Sequence, residues 1–232
     1  MRLSIIIPTL NERDNVRELV TYLQKHGDER IVDLIVVDGG STDDTVAAAE
    51  AAGATVYTCP QRGRAVQMNM GAEKASGDVL YFVHADACPP PRFLDQIEQA
   101  LGEGYDLGCY RFVFKSNRLL LRINAYFTRF DRLMCRGGDQ TLFVRHSLFD
   151  ALGGYKPHYV VMEDYDFILR ARKQARFKII PDDVLVSARK YKHNSYLRVN
   201  LSNLTVFIMF FLGFPPRTML ATYRRLINHP KP

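Results

Sequence analysis

Apolar positions in the first hundred residues alternate between two periods. Leu3 to Pro8 is a short run rich in β-branched residues, the pattern of a strand buried on both faces. Asn15 to His26 then sets Val16, Leu19, Val20 and Leu23 at helical spacing. The alternation repeats: Leu34 to Val37 predicts a strand, Thr45 to Ala52 a helix, Thr55 to Thr58 a strand, Arg64 to Ala75 a helix and Val79 to Val83 another buried strand. Pro91 to Leu101 opens as a helix with proline in its first turn. Such an order implies a mostly parallel central sheet with helices on both faces, an α/β architecture. Ligands bind these sheets at the carboxyl ends of the strands. Thr9 to Glu12, Asp38 to Ser41 and His84 to Asp86 each follow a predicted strand and are therefore the residues to inspect.

The second half is less regular. Gly108 to Lys115 predicts a strand, Arg118 to Cys135 a helix and Thr141 to Val144 a short strand. Ser147 to Leu152 predicts a helix stopped by Gly153 and Gly154, and Tyr165 to Gln174 another, with a strand over Lys178 to Pro181. Val206 to Phe214 is almost wholly apolar, but the segment from Tyr196 carries Arg198, Asn200 and Asn203. It is short of the roughly 20 apolar residues a membrane span requires. The expected organisation is one domain over 1–195, divided into a nucleotide-binding half (1–115) and an acceptor half (116–195), followed by an apolar and basic tail over 196–232. Arg217, Arg224 and Arg225 in that tail leave a membrane surface, a second copy of the chain and the core all open as its partner.

Composition narrows the classes. With 232 residues, 47% hydrophobic and 24% charged, the chain can bury a sizeable core. The net charge of +6 favours anionic partners. Basic residues are scattered without an aromatic recognition motif, which argues against nucleic acid. Cys59, Cys88, Cys109 and Cys135 form no CxxC pair and read as reduced structural thiols of a cytosolic protein. The amino-terminal apolar run lacks an export pattern.

Four clusters carry candidate chemistry. Pro8 to Glu12 could hold a nucleobase or ribose, or Asn11 or Asp14 could simply cap the next helix. In Asp38-Gly39-Gly40-Ser41, the carboxylate at a buried strand end needs a partner, and the glycines would let a ring approach the backbone. Ser41 with Asp44 predicts a capping box. Asp86 is placed to hold a divalent cation that bridges a diphosphate. Glu163-Asp164 opens a helix, where paired acids serve the helix dipole or supply a general base. Arg64 and Arg189 are candidate diphosphate contacts, or solvated surface residues.

Together the clusters resemble family 2 glycosyltransferases of the GT-A (Rossmann-like) fold. The resemblance rests on Ser4 to Glu12, Val36 to Thr45, Arg62 to Gly71, His84-Ala85-Asp86 and Gly153-Gly154-Tyr155 leading to Glu163-Asp164, in that order over roughly residues 3 to 190. The Gly63-Arg64 segment and Gly137 to Gln140 are similar to a bacterial subgroup associated with radical-SAM/selenodomain proteins.

The resemblance implies a nucleoside-diphosphate sugar donor, of uridine or guanosine, and inverting transfer to an acceptor hydroxyl. Pro8, Asn11, Glu12, Asp38, Gly39, Arg64, His84 and Arg189 would bind the donor. Asp86, matching the last acid of a DxD motif, would bind Mg²⁺ or Mn²⁺. Asp164 would be the base, with Glu163 beside it. His84 replaces the first DxD acid, and imidazole suits Mn²⁺ better than Mg²⁺. The weighed alternatives are a non-catalytic sugar-nucleotide binder of the same fold and a Rossmann dehydrogenase. No GxGxxG follows the first strand, which argues against the dehydrogenase.

Overall fold

Strands form at the predicted apolar runs, and their order across the sheet decides where the polar clusters meet. The computed structural model describes residues 1–228. In the first half, β1 (Leu3–Thr9), α1 (Arg13–His26), β2 (Ile31–Asp38), α2 (Thr45–Ala51), β3 (Thr55–Thr58), α3 (Arg64–Lys74), β4 (Val79–Phe82), β5 (Ala87–Cys88) and α4 (Phe93–Gly102) follow in turn. After them come β6 (Leu107–Phe114), α5 (Leu119–Tyr126), β7 (Leu142–Arg145), α6 (His146–Ala151), α7 (Glu163–Ala171), β8 (Phe177–Val186), α8 (Tyr196–Phe211) and α9 (Pro216–Leu226).

One sheet of eight strands has the order β3-β2-β1-β4-β7-β6-β8-β5. The pairs β2–β3, β1–β2, β1–β4 and β6–β8 are parallel, whereas β4–β7, β6–β7 and β5–β8 are antiparallel. Successive strand side chains point to opposite faces. Ile5, Ile7, Val79 and Tyr81 therefore pack with Val16, Leu19 and Leu23 of α1 and with Phe93 and Ile97 of α4. Ile6, Leu80 and Phe82 pack on the other side with Met68 of α3, Phe149 of α6 and Phe167 of α7. Helix α3 lies close against the sheet, because a Cβ at Gly71 would come within 2.4 Å of Ile6 Cγ2.

Two elements differ from the sequence pattern. The helix expected over Arg118 to Cys135 stops at Tyr126 and gives way to two 3₁₀ turns, Phe127–Arg129 and Leu133–Cys135. Arg136 accounts for the break. Its buried guanidinium donates to the carbonyls of Thr128 (2.6 Å) and Phe130 (2.7 Å), groups that a continuing helix would bond internally. The strand expected to end at Pro181 instead runs to Val186. Its pairing with β6 slips at this point, so that Tyr110 faces Ile180 and Arg111 faces Asp183. That irregularity accommodates a proline that cannot donate to the ladder. The extension pairs with β5, Ala87 opposite Val186, and carries the following loop back to the end of β4.

The tail folds onto the domain. Val206 of α8 and Met219 of α9 are buried with Met162, just ahead of α7. Among the described residues no helix is long and apolar enough to cross a membrane.

Replacing Arg136 by leucine removes the guanidinium bonds to both carbonyls and to Cys109 Sγ and leaves buried carbonyls unpaired. Urea denaturation should show a loss of about 2–3 kcal/mol, and unchanged stability would refute this account of the helix break.

Candidate active site

The ends of β1 and β2 are closed by their own side chains. Asp38 is 2% exposed. Its Oδ2 accepts from the backbone N–H groups of Gly40 (2.9 Å) and Ser41 (2.8 Å), while Oδ1 accepts from Ser41 Oγ (2.5 Å) and Thr9 Oγ1 (3.3 Å). The carboxylate thus finds its partners in its own loop and at the end of β1. Gly39 faces Gln67, whose Nε2 donates to the carbonyls of Thr9 and Val37 at 2.8 Å each. A Cβ at Gly39 would sit 3.1 Å from that nitrogen, so the missing side chain makes room for Gln67. Pro8 is buried within β1 opposite Val37.

The expected caps are absent. Helix α2 begins after Asp44 with no side-chain cap bond, and α1 begins after Glu12 in the same way. Ser41 is held by Asp38 and accepts from the Asn11 N–H (2.8 Å) instead of capping. Asn11 Oδ1 in turn accepts from the Thr42 N–H (2.8 Å). The loops after β1 and β2 are therefore cross-linked, which explains how Asn11 holds a φ of +53°.

A second cluster spans the chain. Arg189 donates to both oxygens of Glu12, at 2.5 and 3.0 Å, and its Nη2 lies 3.5 Å from Asp86 Oδ2. Glu12 also accepts from Asn15 Nδ2 at 2.5 Å. Hydrogen bonding to Glu12 holds the Arg189 guanidinium firmly charged. The β5–β8 pairing supplies the geometry, with the Ser187 N–H donating to the Asp86 carbonyl at 3.1 Å.

The third cluster is electrostatically unusual. Glu163 and Asp164, 1% and 8% exposed, open α7 behind Met162, whose φ is +72°. Arg64 Nη2 lies 2.9 Å from Glu163 Oε1. Burial pushes both carboxyls up, and the neighbouring Glu163 charge raises Asp164 further, to about 7, against the pull of Arg64. The Glu163 charge in turn raises Arg64. Asp164 and His84 both line one cavity of about 10 Å³, together with Gln140, Thr141 and Tyr155. A helix dipole alone would not require such burial, because acids serve it equally well in solvent. Asn69 fixes the approach to α7 by bonding both the N–H and the carbonyl of Tyr155, at 2.9 and 2.7 Å.

The sequence-predicted residues thus gather into two groups joined by His84-Ala85-Asp86. Glu12, Asp86 and Arg189 form one group beside the Pro8, Asn11, Asp38 and Gly39 loops; Arg64, Glu163, Asp164 and His84 form the other. Gln67, Asn69, Asp139 and Thr141 were missed. Asp139 acts on Arg64 and Asp164 through its charge, and Thr141 is a β-branched residue at φ +58°. In the sequence only the resemblance of Gly137 to Gln140 to a family subgroup points to that stretch. Non-glycine residues at such φ values cost about 1–3 kcal/mol each and cluster at functional sites. Asn11, Thr141 and Met162 all border this one.

Among the described residues no three His, Cys, Asp or Glu side chains converge as a metal cage. A cation held jointly with a ligand's phosphates would need only one or two protein carboxylates, and Asp86 is the carboxylate this segment supplies.

The Glycosyl transferase family 2 profile matches residues 4–157. The chain belongs to this family. An uncharacterized glycosyltransferase of Mycobacterium tuberculosis is 32% identical over 177 residues, covering 72% of this chain and 68% of that protein. Dolichol-phosphate mannosyltransferase of Pyrococcus furiosus is 30% identical over 112 residues, 46% of this chain and 32% of that protein. Among solved structures, M. tuberculosis glucosyl-3-phosphoglycerate synthase in complex with Mn²⁺, UDP and glucosyl-3-phosphoglycerate superposes with a TM-score of 0.65 at 19% identity, covering 92% of this chain and 81% of that one. A mannosyltransferase of Pyrobaculum calidifontis in complex with GDP-Man and Mn²⁺ superposes with a TM-score of 0.69 at 19% identity, covering 97% and 69%. The fold of this family 2 glycosyltransferase is GT-A-like, as its motifs imply.

Isotope-edited carboxyl NMR should give Asp164 a titration midpoint near 7. Glu163→Gln removes the like charge and should lower the midpoint, whereas Arg64→Gln removes the opposing charge and should raise it. A midpoint that stays in the ordinary carboxylate range in all three proteins would refute the electrostatic account.

Proposed function

We propose that this glycosyltransferase transfers a sugar from a uridine or guanosine diphosphate donor to an acceptor hydroxyl with inversion, using Asp164 as the base. The supporting observation is a buried carboxyl raised to about 7 that shares a cavity with His84, two residues from Asp86. A base with that pKa is largely ionised just above neutrality and can still accept a proton with adequate driving force. The solved relatives with UDP and GDP-Man support the donor class.

In this reading residues 1–115 hold the donor and 116–195 present the acceptor. The acceptor oxygen attacks the anomeric carbon from the face opposite the leaving group. The bond from that carbon to the diphosphate oxygen breaks, the electron pair leaves with the diphosphate, and the acceptor proton passes to Asp164. Arg189 contributes fixed positive charge beside Asp86. A divalent cation held by Asp86 and the donor phosphates would add Lewis-acid stabilisation of the leaving group. Glu163 holds Arg64 in place and sets the basicity of Asp164.

Isothermal titration with UDP and GDP, each with and without Mn²⁺, should show metal-assisted binding of one nucleotide. No binding of either would overturn the donor assignment. Asp164→Asn should leave nucleotide binding within about threefold and reduce donor turnover by at least about a hundredfold. Equal turnover would overturn the assignment of the base.

A further inference from the structure

The tail was open to three partners, and the structure separates its two sides. One side of α8 is spent on the domain: Val206 is buried with Met162 and Met219, and Phe207 packs edge-on against Tyr165 with ring centroids 5.6 Å apart. The other side carries Leu197, Leu201, Leu204, Ile208 and Phe211, a straight stripe at helical spacing whose members are 45–68% exposed. Helix α5 meets α8 through Asn124 Nδ2 and Asn200 Oδ1, 3.1 Å apart. It bears a second stripe of Leu119, Ile123 and Tyr126, each 44% exposed or more. Leu121, Tyr191, Val199 and Ile227 bury these helices together as one unit.

Charge identifies the occupant. Residues 184 to 228 contain seven Arg and Lys and no Asp or Glu, and residues 115 to 130 contain four and none. Arg198, Arg217, Arg224 and Arg225 are exposed. Between α8 and α9 lies a groove of about 220 Å³ in which Arg198 and Arg225 face Ser202 and Thr205, with Leu201 and Leu226 as apolar walls. A self-complementary dimer would bring these acid-free segments against their own like charge. An acidic bilayer offers both of the missing complements, anionic headgroups and an apolar layer beneath them.

We propose that the α5–α8–α9 face docks on an anionic phospholipid bilayer, with a headgroup phosphate in the Arg198–Arg225 groove. Helix α8, at 16 residues, lies along the surface rather than through it. Tyr165 against Phe207 then sets the Asp164 cavity beside the membrane. This docking is independent of the proposed chemistry.

The test is vesicle flotation of the full chain with phosphatidylcholine alone and with phosphatidylcholine containing phosphatidylglycerol, at low and high salt. The protein should bind the anionic vesicles at least about tenfold better, with binding reduced by salt. Leu201→Glu with Ile208→Glu should lose about tenfold of that binding. Arg224→Gln with Arg225→Gln should lose several-fold and most of the salt dependence. UDP titration and thermal melting of each variant should match the parent, which separates this result from failure of the donor site or of folding. Absence of vesicle binding, or binding unchanged in both double variants, overturns the proposal. So does a dimer in analytical ultracentrifugation that Leu201→Glu with Ile208→Glu dissociates while vesicles go unbound, because a second copy is then the occupant. Binding of inorganic phosphate without vesicle binding likewise overturns it.

Discussion

Two adjacent carboxyls buried at one helix terminus repel each other and lose their hydration, and Arg64 is the charge that makes the arrangement tenable. That requirement passes to α3. Along barely two turns this helix presents Arg64 to Glu163, Gln67 to the carbonyls at the ends of β1 and β2, and Asn69 to the backbone of Tyr155. It rests on Ile6 at Gly71 with no space for a side chain. A shift of α3 would therefore disturb the loops after β1 and β2 and the approach to α7 together. The two halves of the site are kept in register by one packed helix rather than by a network spread over the surface.

The sheet explains why polar residues far apart in sequence share one edge. Strands β1, β2 and β4 end together, so Glu12, the Asp38 loop and the His84–Asp86 segment emerge side by side. Reversal at β7 brings the second half back alongside β4, and β8 returns Arg189 to Glu12 and Asp86. The strained backbone at Asn11, Thr141 and Met162 lies where these segments turn. At each place neighbouring groups restrain the residue, as with the Ser41 and Thr42 bonds to Asn11 and the Tyr81 hydroxyl, 3.1 Å from Thr141 Oγ1.

The first half of the fold was legible because local periodicity and tertiary burial agree there. Thr55 to Thr58 was bounded correctly, and the strands and helices around it to within a few residues. Failures came where a distant partner decides. Arg118 to Cys135 has helical spacing, yet Arg136 and Cys109 draw its later part into turns. Pro181 looks like a stop, but pairing with β6 tolerates it through a slipped register. The site shows the same division. Asp86, Glu163 and Asp164 could be named from their places after a strand and before a helix, but the raised pKa of Asp164 depends on burial that no local pattern encodes. Asp38 needed a partner, as its position implied, but local bonds meet that need.

The ion pair between Glu12 and Arg189 also bears on the order in which the protein becomes functional. Its members are 177 positions apart, so a chain emerging from the ribosome exposes β1 to β4 long before the guanidinium exists outside the exit tunnel. Closing so long a loop is slow and costs chain entropy that local helices do not. The constellation is therefore completed late in synthesis, after the sheet has been built through β8. A prematurely terminated product would carry a recognisable half-site but lack the cation facing Asp86.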